Sequence, residues 1–485
     1  MKKILFLSGI VLASLVTSCQ EEFLDSAPTE TIGDAPVQTK LNGLYVMMIN
    51  TGTGGTTDHD DFGQKGFDIY SDMLSQDMVL EGVTYGWYTR LANMSAQTDF
   101  TRTENYKPWR YYYRIIAGAN DVIDGLGGTD TVPTTDDNKF AMGQAKAIRA
   151  YAYFYLMQLY TKGYTAGEPA IPVYTKTQQP AAPKSTQEQV YGLIVDDLTK
   201  AIDYLADFDR ANKGMIDQGV AKGLLAYTYA AMGQYSQAAT LSKQIMSDYG
   251  YPVTTKVQAI RMVHPGSTTA SGGGFNSLDT QSWMWGYNLD VVNGLDLISW
   301  WGQVDVFTYS YAGVGDRKGI DLGLYNSMRA DDDRRNQFVV TTPARNYPGN
   351  KFFDPNRVSM GQRQITTDYI FMRVDEFHLL AAESLAKSGQ EAEAKTILKT
   401  YLQNRIADVS YIDALSGVAL QNEIYKNTRL EFWGEGKSYL ALKRNKATVT
   451  RGSNHLFLAG QSFTYDDDRM YLKIPQEEIL NNPNF

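Results

Sequence analysis

Apolar residues recur every three or four positions in several long stretches of this chain, which is the spacing of amphipathic helices. These stretches predict one helix over residues 34–49, another over 103–126 and a third, the most regular, over 140–160. Residues 51–66 are rich in Gly, Thr and Asp, and residues 163–183 contain four prolines, so both predict loops. The sequence S-T-Q-E at 185–188 matches a capping box and predicts the start of a further helix.

Two stretches share a register that is typical of tetratricopeptide repeats, in which two short helices pack across a tight turn. Residues 220–249 have Gly233 at the turn and Ala238 in the second helix, and residues 374–405 repeat this spacing with Gly389 and Ala394. The helices on either side of the proline-rich loop predict a third, looser pair, and residues 420–442 supply a fourth. Four such pairs predict an α-helical repeat scaffold.

Residues 251–350 differ from the rest of the chain. They contain three consecutive glycines, many Ser and Thr residues, four of the seven tryptophans and little helical periodicity. Long irregular segments on a rigid scaffold tend to carry function. The sequence therefore predicts a mainly α fold, a tetratricopeptide-like helical-repeat scaffold with a large irregular, loop-rich ligand-binding insertion at about 251–350. The repeats are expected mainly in 140–250 and 370–445, within a single unit over 34–485.

The first residues have the pattern of a bacterial lipoprotein signal. Lys2 and Lys3 precede an apolar run over 4–16, small residues follow, and Cys19 is the one cysteine of the sequence. The run is too short to cross a bilayer as a helix. We expect a lipoprotein signal peptide over residues 1–18, lipidation of Cys19 and a lipidated tether over 19–33. The acidic residues directly after Cys19 resemble the surface-export signal of Bacteroidetes lipoproteins.

Composition and net charge limit the classes of partner that the protein is expected to bind. The chain has 485 residues, 43% of them hydrophobic, and a formal net charge of −9. An acidic balance argues against binding to a phosphate backbone, so no nucleic-acid partner is expected. Aromatic residues are abundant, with 33 Tyr, 19 Phe and 7 Trp. Tyr and Trp are enriched in binding surfaces but also fill cores, so their number alone does not locate a site.

Motifs in a fixed order along the chain resemble those of the SusD/RagB-like outer-membrane nutrient-binding lipoproteins. They are AIRAYAYF at 147–154, DDDR at 331–334, FMRVDE at 371–376, RLEF at 429–432 and LKIPQEEI at 472–479. Two departures occur in the late helix, where Asn427-Thr428 precedes Arg429 in place of an acidic-Arg pair and Ala441 stands where Asp is common. Both concern local packing.

The resemblance implies a binding protein without catalytic activity or cofactor. It implies a surface-exposed outer-membrane lipoprotein that acts as a lid on a SusC-like TonB-dependent transporter and delivers a glycan ligand to it. Some members of the family capture peptides, so an oligopeptide-binding lid of a RagA-like transporter is the alternative. A subunit that only gates the transporter is a third possibility.

A saccharide ring has an apolar face that stacks on aromatic side chains, while polar side chains bind its hydroxyl groups. Tyr85, Trp87 and Tyr88, on a segment with Gly82 and Gly86, form the first candidate platform. The other candidates for ligand binding lie in the irregular segment and are Asn293, Asp296, Trp300, Trp301, Gln303, Tyr309 and Tyr311. Core packing is the alternative for each aromatic residue, and it is favoured for Trp283 and Trp285, which alternate with Met284 and Gly286 as in a buried strand.

Catalytic and metal sites find little support in the sequence. The acidic runs 331–333 and 466–468 are typical of solvated turns, and arginines follow both. The four histidines lack metal-ligand spacing. The sequence D-H-D-D at 58–61 offers oxygen ligands for Ca²⁺, but it lacks a calcium-loop pattern and a solvated loop is expected. We predict no catalytic residue and no metal.

Overall fold

The computed structural model describes residues 35–263, 270–290, 295–341, 345–354 and 363–485. The signal peptide, Cys19 and the tether lie outside these residues, as does Asn293. The α-helices are α1 (Val37–Met47), α2 (Gln64–Leu74), α3 (Thr89–Ala92), α4 (Ser95–Thr98), α5 (Thr103–Gly125), α6 (Asp136–Tyr160), α7 (Gln187–Tyr204), α8 (Gln218–Ala231), α9 (Tyr235–Asp248), α10 (Lys256–Ala259), α11 (Trp300–Val304), α12 (Leu322–Asn326), α13 (Asp375–Lys387), α14 (Glu391–Leu402), α15 (Gly417–Glu431), α16 (Ser438–Arg444) and α17 (Gln476–Asn481).

The strands are short and pair two by two, each pair antiparallel. They are β1 (Met78–Leu80) with β7 (Lys318–Ile320), β2 (Pro169–Pro172) with β3 (Lys184–Thr186), β4 (Met262–Val263) with β5 (Ala270–Ser271), β6 (Trp283–Tyr287) with β10 (Tyr369–Arg373), β8 (Val339–Thr341) with β9 (Arg345–Tyr347), and β11 (Thr448–Thr450) with β12 (Ser462–Thr464). None of the helices in the described ranges is long and apolar enough to cross a membrane.

Consecutive helices form the predicted scaffold. The pairs α6–α7, α8–α9, α13–α14 and α15–α16 pack against each other, and α9 packs against α13 although more than a hundred residues separate them. Gly233 and Gly389 have φ angles of 77° and 81° at the two predicted turns. Ala238 and Ala394, the small residues of the second helices, are fully buried. The mainly α, tetratricopeptide-like prediction is confirmed.

Helix α7 begins one residue later than the sequence pattern indicated. Thr186, and not Ser185, is the N-cap residue, and its hydroxyl accepts a hydrogen bond from the backbone N–H of Gln189. The Gln189 side chain accepts in return from the backbone N–H of Thr186. The capping box is therefore Thr186–Gln189.

Helix α2 was not predicted from the sequence. It begins at Gln64, inside the stretch that was expected to be a loop, and every residue in it is buried. Phe67, Tyr70, Met73 and Leu74 form an apolar stripe, but the helix has only 11 residues and starts within a Gly-, Thr- and Asp-rich stretch that predicts a loop. Among its buried polar residues, Lys65 Nζ lies 2.8 Å from Asp68, and Asp72 accepts a hydrogen bond from the backbone N–H of Gly436 at 3.2 Å.

The described residues between α9 and α13, which include the irregular segment, form only short elements. Strand β6 lies in this segment and pairs with β10 at the start of the α13–α14 helix pair. Trp283 and Trp285 on β6 are buried, as predicted. This pairing, together with β1–β7, attaches the segment to the helical scaffold and brings distant aromatic residues to one surface.

Candidate functional site

A cavity of about 400 Å³ lies where the irregular segment meets the loop that precedes α2 and the loop that follows β1. We call it the aromatic pocket. Its lining residues are His59, Tyr85, Asp296, Leu297, Ile298, Tyr309, Ser310, Tyr311, Val314 and Arg363. Four of them were candidates from the sequence, namely Tyr85, Asp296, Tyr309 and Tyr311. The structure thus joins parts of both predicted groups into one site.

The β1–β7 pair positions one wall of the pocket. Beyond the pair, the buried carboxylate of Asp316 accepts hydrogen bonds from the backbone N–H groups of Thr84 and Tyr85, at 2.5 and 2.9 Å. The two chain segments approach so closely that a Cβ on Gly82 would lie 2.1 Å from the Gly315 carbonyl oxygen. Only glycine fits there, and the close approach holds Tyr85 beside Tyr311.

The rings form a connected cluster. Tyr85 and Tyr311 meet edge to face with centroids 5.1 Å apart, and Tyr311 lies 6.3 Å from Trp87. Trp87, half-buried, stacks on His59 with centroids 5.2 Å apart and planes within 9°. Tyr85 is 61% exposed and Tyr309 46%, whereas Tyr311 is 5% exposed. The exposed rings offer faces to a ligand and the buried ones support them.

The charged residues of the pocket are paired. Arg363 lies 3.2 Å from the Asp296 carboxylate, and its guanidinium lies 4.7 Å from the centroid of the Tyr309 ring. Both side chains are about half exposed. Burial raises the pKa of the Tyr311 hydroxyl. This group is therefore protonated at neutral pH and can donate a hydrogen bond.

Four of the candidate residues are buried and do not line the pocket, which corrects the prediction that they contact a ligand. Trp300 and Trp301 are 2% and 1% exposed, and Tyr88 and Gln303 are covered in the same way. Ser299 caps α11 through a hydrogen bond from Gly302 N–H, and this short helix directs both indoles into the core. Trp301 Nε1 donates to the Thr367 carbonyl oxygen at 2.9 Å.

Trp87 does not line the cavity directly, but it supports the pocket through its stack on His59. Tyr88 lies behind it, with the Lys318 ammonium group 5.0 Å from the ring centroid. Gln303 lies between Lys318 and the backbone of His59 and hydrogen-bonds both. The aromatic platform of the first candidate group is therefore one exposed tyrosine with a supporting tryptophan.

His59 and Arg363 were missed as site residues. His59 is 252 positions away from its hydrogen-bond partner Tyr311, so no local sequence pattern predicts the contact. The loop around His59 is also not solvated, because Asp60 and Asp61 are buried. Asp60 contacts Lys107 at 2.6 Å, and Asp61 accepts from the backbone N–H of Gly54 at 2.8 Å.

The acidic runs that were considered for catalysis are neutralised by neighbouring arginines. Asp332 lies 2.7 Å from Arg334, and Asp467 lies 2.7 Å from Arg469. Asp332 is buried, so the first run is not the solvated turn that the sequence predicted. Within the described ranges, no group of three or more His, Cys, Asp and Glu side chains is arranged to hold a metal ion.

Comparison with known families identifies the class of protein. A family model described as "Starch-binding associating with outer membrane" matches residues 22–226, and one described as "SusD family" matches residues 319–485. The chain belongs to the SusD/RagB-like family.

Individual relatives are distant. A SusD-like protein of Bacteroides ovatus is 25% identical over 49% of this chain, and the match spans 42% of that relative. SusD-like protein P2 of Formosa agariphila is 23% identical, with 78% of each chain covered.

Solved structures share the fold across nearly the whole chain. A SusD-like carbohydrate-binding protein of Bacteroides vulgatus superposes with a TM-score of 0.75 at 21% identity, covering 93% of this chain and 96% of that one. Surface glycan-binding protein A of Bacteroides thetaiotaomicron gives a TM-score of 0.66 at 16% identity, covering 92% and 97%. At these identities the likeness establishes the architecture.

Proposed function

We propose that this protein is a surface-exposed outer-membrane lipoprotein, anchored through Cys19, that captures oligosaccharide or polysaccharide and delivers it to a SusC-like TonB-dependent transporter. It acts as a binding protein and catalyses no reaction. The observation that carries the proposal is the aromatic pocket, in which two exposed tyrosine rings lie beside a paired carboxylate and guanidinium.

The pocket has the chemistry that a saccharide requires. The exposed faces of Tyr85 and Tyr309 suit the C–H face of a sugar ring, because stacking removes the flat apolar surfaces of both the tyrosine and the sugar from water. Asp296 and Arg363 supply an acceptor and several donors for ring hydroxyl groups. Family membership and the two glycan-binding structures with the same architecture support the same class of ligand.

The open, ring-lined shape favours a saccharide over a peptide. A peptide carrier would need to satisfy charged termini and backbone groups in a closed, polar cavity. Among the described residues that line the aromatic pocket, Asp296 is the one carboxylate, and Arg363 already pairs with it. Oligopeptide capture with a RagA-like transporter is the alternative ligand class for the same lid.

Affinity electrophoresis of the mature protein from Gln20 onward, in gels that contain plant, host or microbial polysaccharides, tests the proposal. We expect retardation by at least one polysaccharide. The double variant Tyr85→Ala with Tyr309→Ala should abolish the retardation, because loss of stacking costs about 1–3 kcal/mol per ring by analogy with other planar ligands.

Phe100→Ala is the matched control, since Phe100 is 44% exposed but lies outside the aromatic pocket. It should migrate like the wild type in every gel. If the double variant and the wild type are retarded equally, the ligand binds elsewhere. If no polysaccharide retards the wild type, polysaccharide capture is wrong, and capture of short oligosaccharides, capture of peptides or a purely gating role takes its place.

A further inference from the structure

We infer that His59 is the residue of the aromatic pocket that hydrogen-bonds the saccharide hydroxyl groups, and that Gln303 and Lys318 are positioning residues that hold it from behind. This inference rests on the proposed function. It adds to the stacking surface a specific polar contact with a fixed direction, supplied by a loop that precedes the irregular segment in the sequence.

The loop that carries His59 is held in place because Asp60 and Asp61 face inward. The Asp61 carboxylate accepts from the backbone N–H groups of Gly54 and Thr56 at 2.8 and 3.0 Å. Asp60 accepts from the Tyr70 hydroxyl at 2.8 Å and binds Lys107. With the residues on its C-terminal side held in the interior, His59 is directed outward, so little conformational entropy is lost on binding.

A second set of contacts fixes the His59 backbone. The Gln303 side chain donates from Nε2 to the His59 carbonyl oxygen at 2.9 Å, and its Oε1 accepts from Lys318 Nζ at 2.8 Å. Gln303 and Lys318 are completely buried. A buried amide that bridges a lysine and a main-chain carbonyl has one orientation, so it holds the loop in one position.

The ring of His59 is also oriented. It stacks on Trp87, and its Nδ1 hydrogen-bonds the Tyr311 hydroxyl. A neutral imidazole has one donor and one acceptor nitrogen, so the Tyr311 bond leaves Nε2 as the second hydrogen-bonding group. Among the residues that the structure describes, no protein group hydrogen-bonds this Nε2. It is the nitrogen available to a hydroxyl group in the cavity that His59 lines.

Three substitutions of His59 distinguish the stack on Trp87 from the hydrogen bonds of Nδ1 and Nε2. His59→Phe keeps the stack on Trp87 and removes both nitrogens. His59→Asn places an amide at the Nδ1 position, and His59→Gln places one near the Nε2 position. Titration calorimetry with the polysaccharide that most retards the wild type should show about tenfold weaker binding for the Phe and Asn variants. The Gln variant should recover most of that loss.

The substitution Gln303→Glu tests whether Gln303 positions His59. Glutamate keeps an acceptor for Lys318 but cannot donate to the His59 carbonyl, so we expect binding about threefold weaker together with a lower melting temperature. Histidine-ring ¹H–¹⁵N NMR spectra report on the site directly. Polysaccharide should shift the His59 Nε2 signal, and Gln303→Glu should move the His59 signals in the free protein.

His378→Phe is the control, because His378 also stacks on an aromatic ring, Tyr401, at 5.6 Å, but lies outside the pocket. The His378→Phe variant should bind like the wild type. In the wild type, the ring signals of His378 should not respond to polysaccharide. Wild-type affinity in His59→Phe, or an unshifted His59 signal at saturation, would overturn the inference while leaving saccharide capture intact. Absence of binding by the wild type itself would overturn both.

Discussion

Aromatic residues serve two purposes in this protein, and the exposed fraction of the side chain distinguishes them. Trp301 is 1% exposed and its indole N–H is bound to a main-chain carbonyl, whereas Tyr309 is 46% exposed beside Arg363. Trp301→Ala should lower the free energy of unfolding by about 3–5 kcal/mol, because it removes a large buried side chain and leaves a cavity.

Tyr309→Ala should change the same quantity by less than about 0.5 kcal/mol, since it lies on the surface. Urea unfolding followed by circular dichroism measures both variants. Equal destabilisation by the two substitutions would contradict the division into core and pocket rings.

The sequence predicted which segments carry the site better than which residues form it. It identified the stretches that contain Tyr85, Tyr309 and Tyr311, because aromatic residues there adjoin glycines and lack helical periodicity. It could not distinguish Trp300 from these tyrosines, because the direction of an indole depends on the short helix α11 and on what packs against it. His59 joins the site through contacts across more than two hundred positions.

The helix pairs were predictable because their signals are local. A turn glycine followed by an alanine five residues later appears twice, and both pairs form as the spacing indicates. Helix α2 was missed because it is short and starts within a Gly-, Thr- and Asp-rich stretch whose composition predicts a loop.

At the turn between α8 and α9, Gly233→Ala should destabilise the protein by about 1–2 kcal/mol, because a Cβ is unfavourable at its φ of 77°. The space around this residue is open, so the cost is confined to the backbone. The melting temperature and urea midpoint should both fall.

Gly192 supplies the matched control for this substitution. It lies in α7, is exposed, and also has open space where a Cβ would point, but its backbone is helical. Gly192→Ala should therefore stabilise the protein by about 0.5–1 kcal/mol. Destabilisation by both substitutions would contradict the assignment of the cost at Gly233 to its backbone conformation.

On the scale of the whole molecule, one buried carboxylate connects the irregular segment to two of the helix pairs. Glu431, at the end of α15, lies 2.9 Å from Arg405, 3.1 Å from Arg373 and 3.6 Å from Arg334. All four side chains are buried. Arg334 belongs to the irregular segment, Arg373 ends β10, and Arg405 follows α14. The network therefore fixes the segment that carries the pocket against the scaffold.

Glu431→Gln should lower the free energy of unfolding by about 3–5 kcal/mol, because it removes one buried negative charge and leaves the three arginines with only Asp332, Asp375 and Glu435 as counter-charges. The control is Glu393→Gln. Glu393 pairs with Lys243 at 2.6 Å, but both side chains are more than 40% exposed, and such a surface pair is worth about 0–1 kcal/mol. Urea unfolding at neutral pH compares the two, and an equal effect would contradict a special role for the buried network.

The difference in unfolding free energy between the wild type and Glu431→Gln should depend on pH in a direction that the pKa of Glu431 predicts. Burial alone would raise the pKa of Glu431, but the attraction of Arg405 and Arg373 outweighs it and holds this pKa well below its usual range. A carboxyl whose pKa is lower in the folded state stabilises the protein above its unfolded pKa of about 4.3, and that contribution is lost as the pH falls through the folded value. The difference in unfolding free energy between wild type and Glu431→Gln should therefore stay constant from neutral pH to about pH 5 and shrink below about pH 4. A difference that grows on acidification would mean that the arginines do not stabilise the ionised form of Glu431.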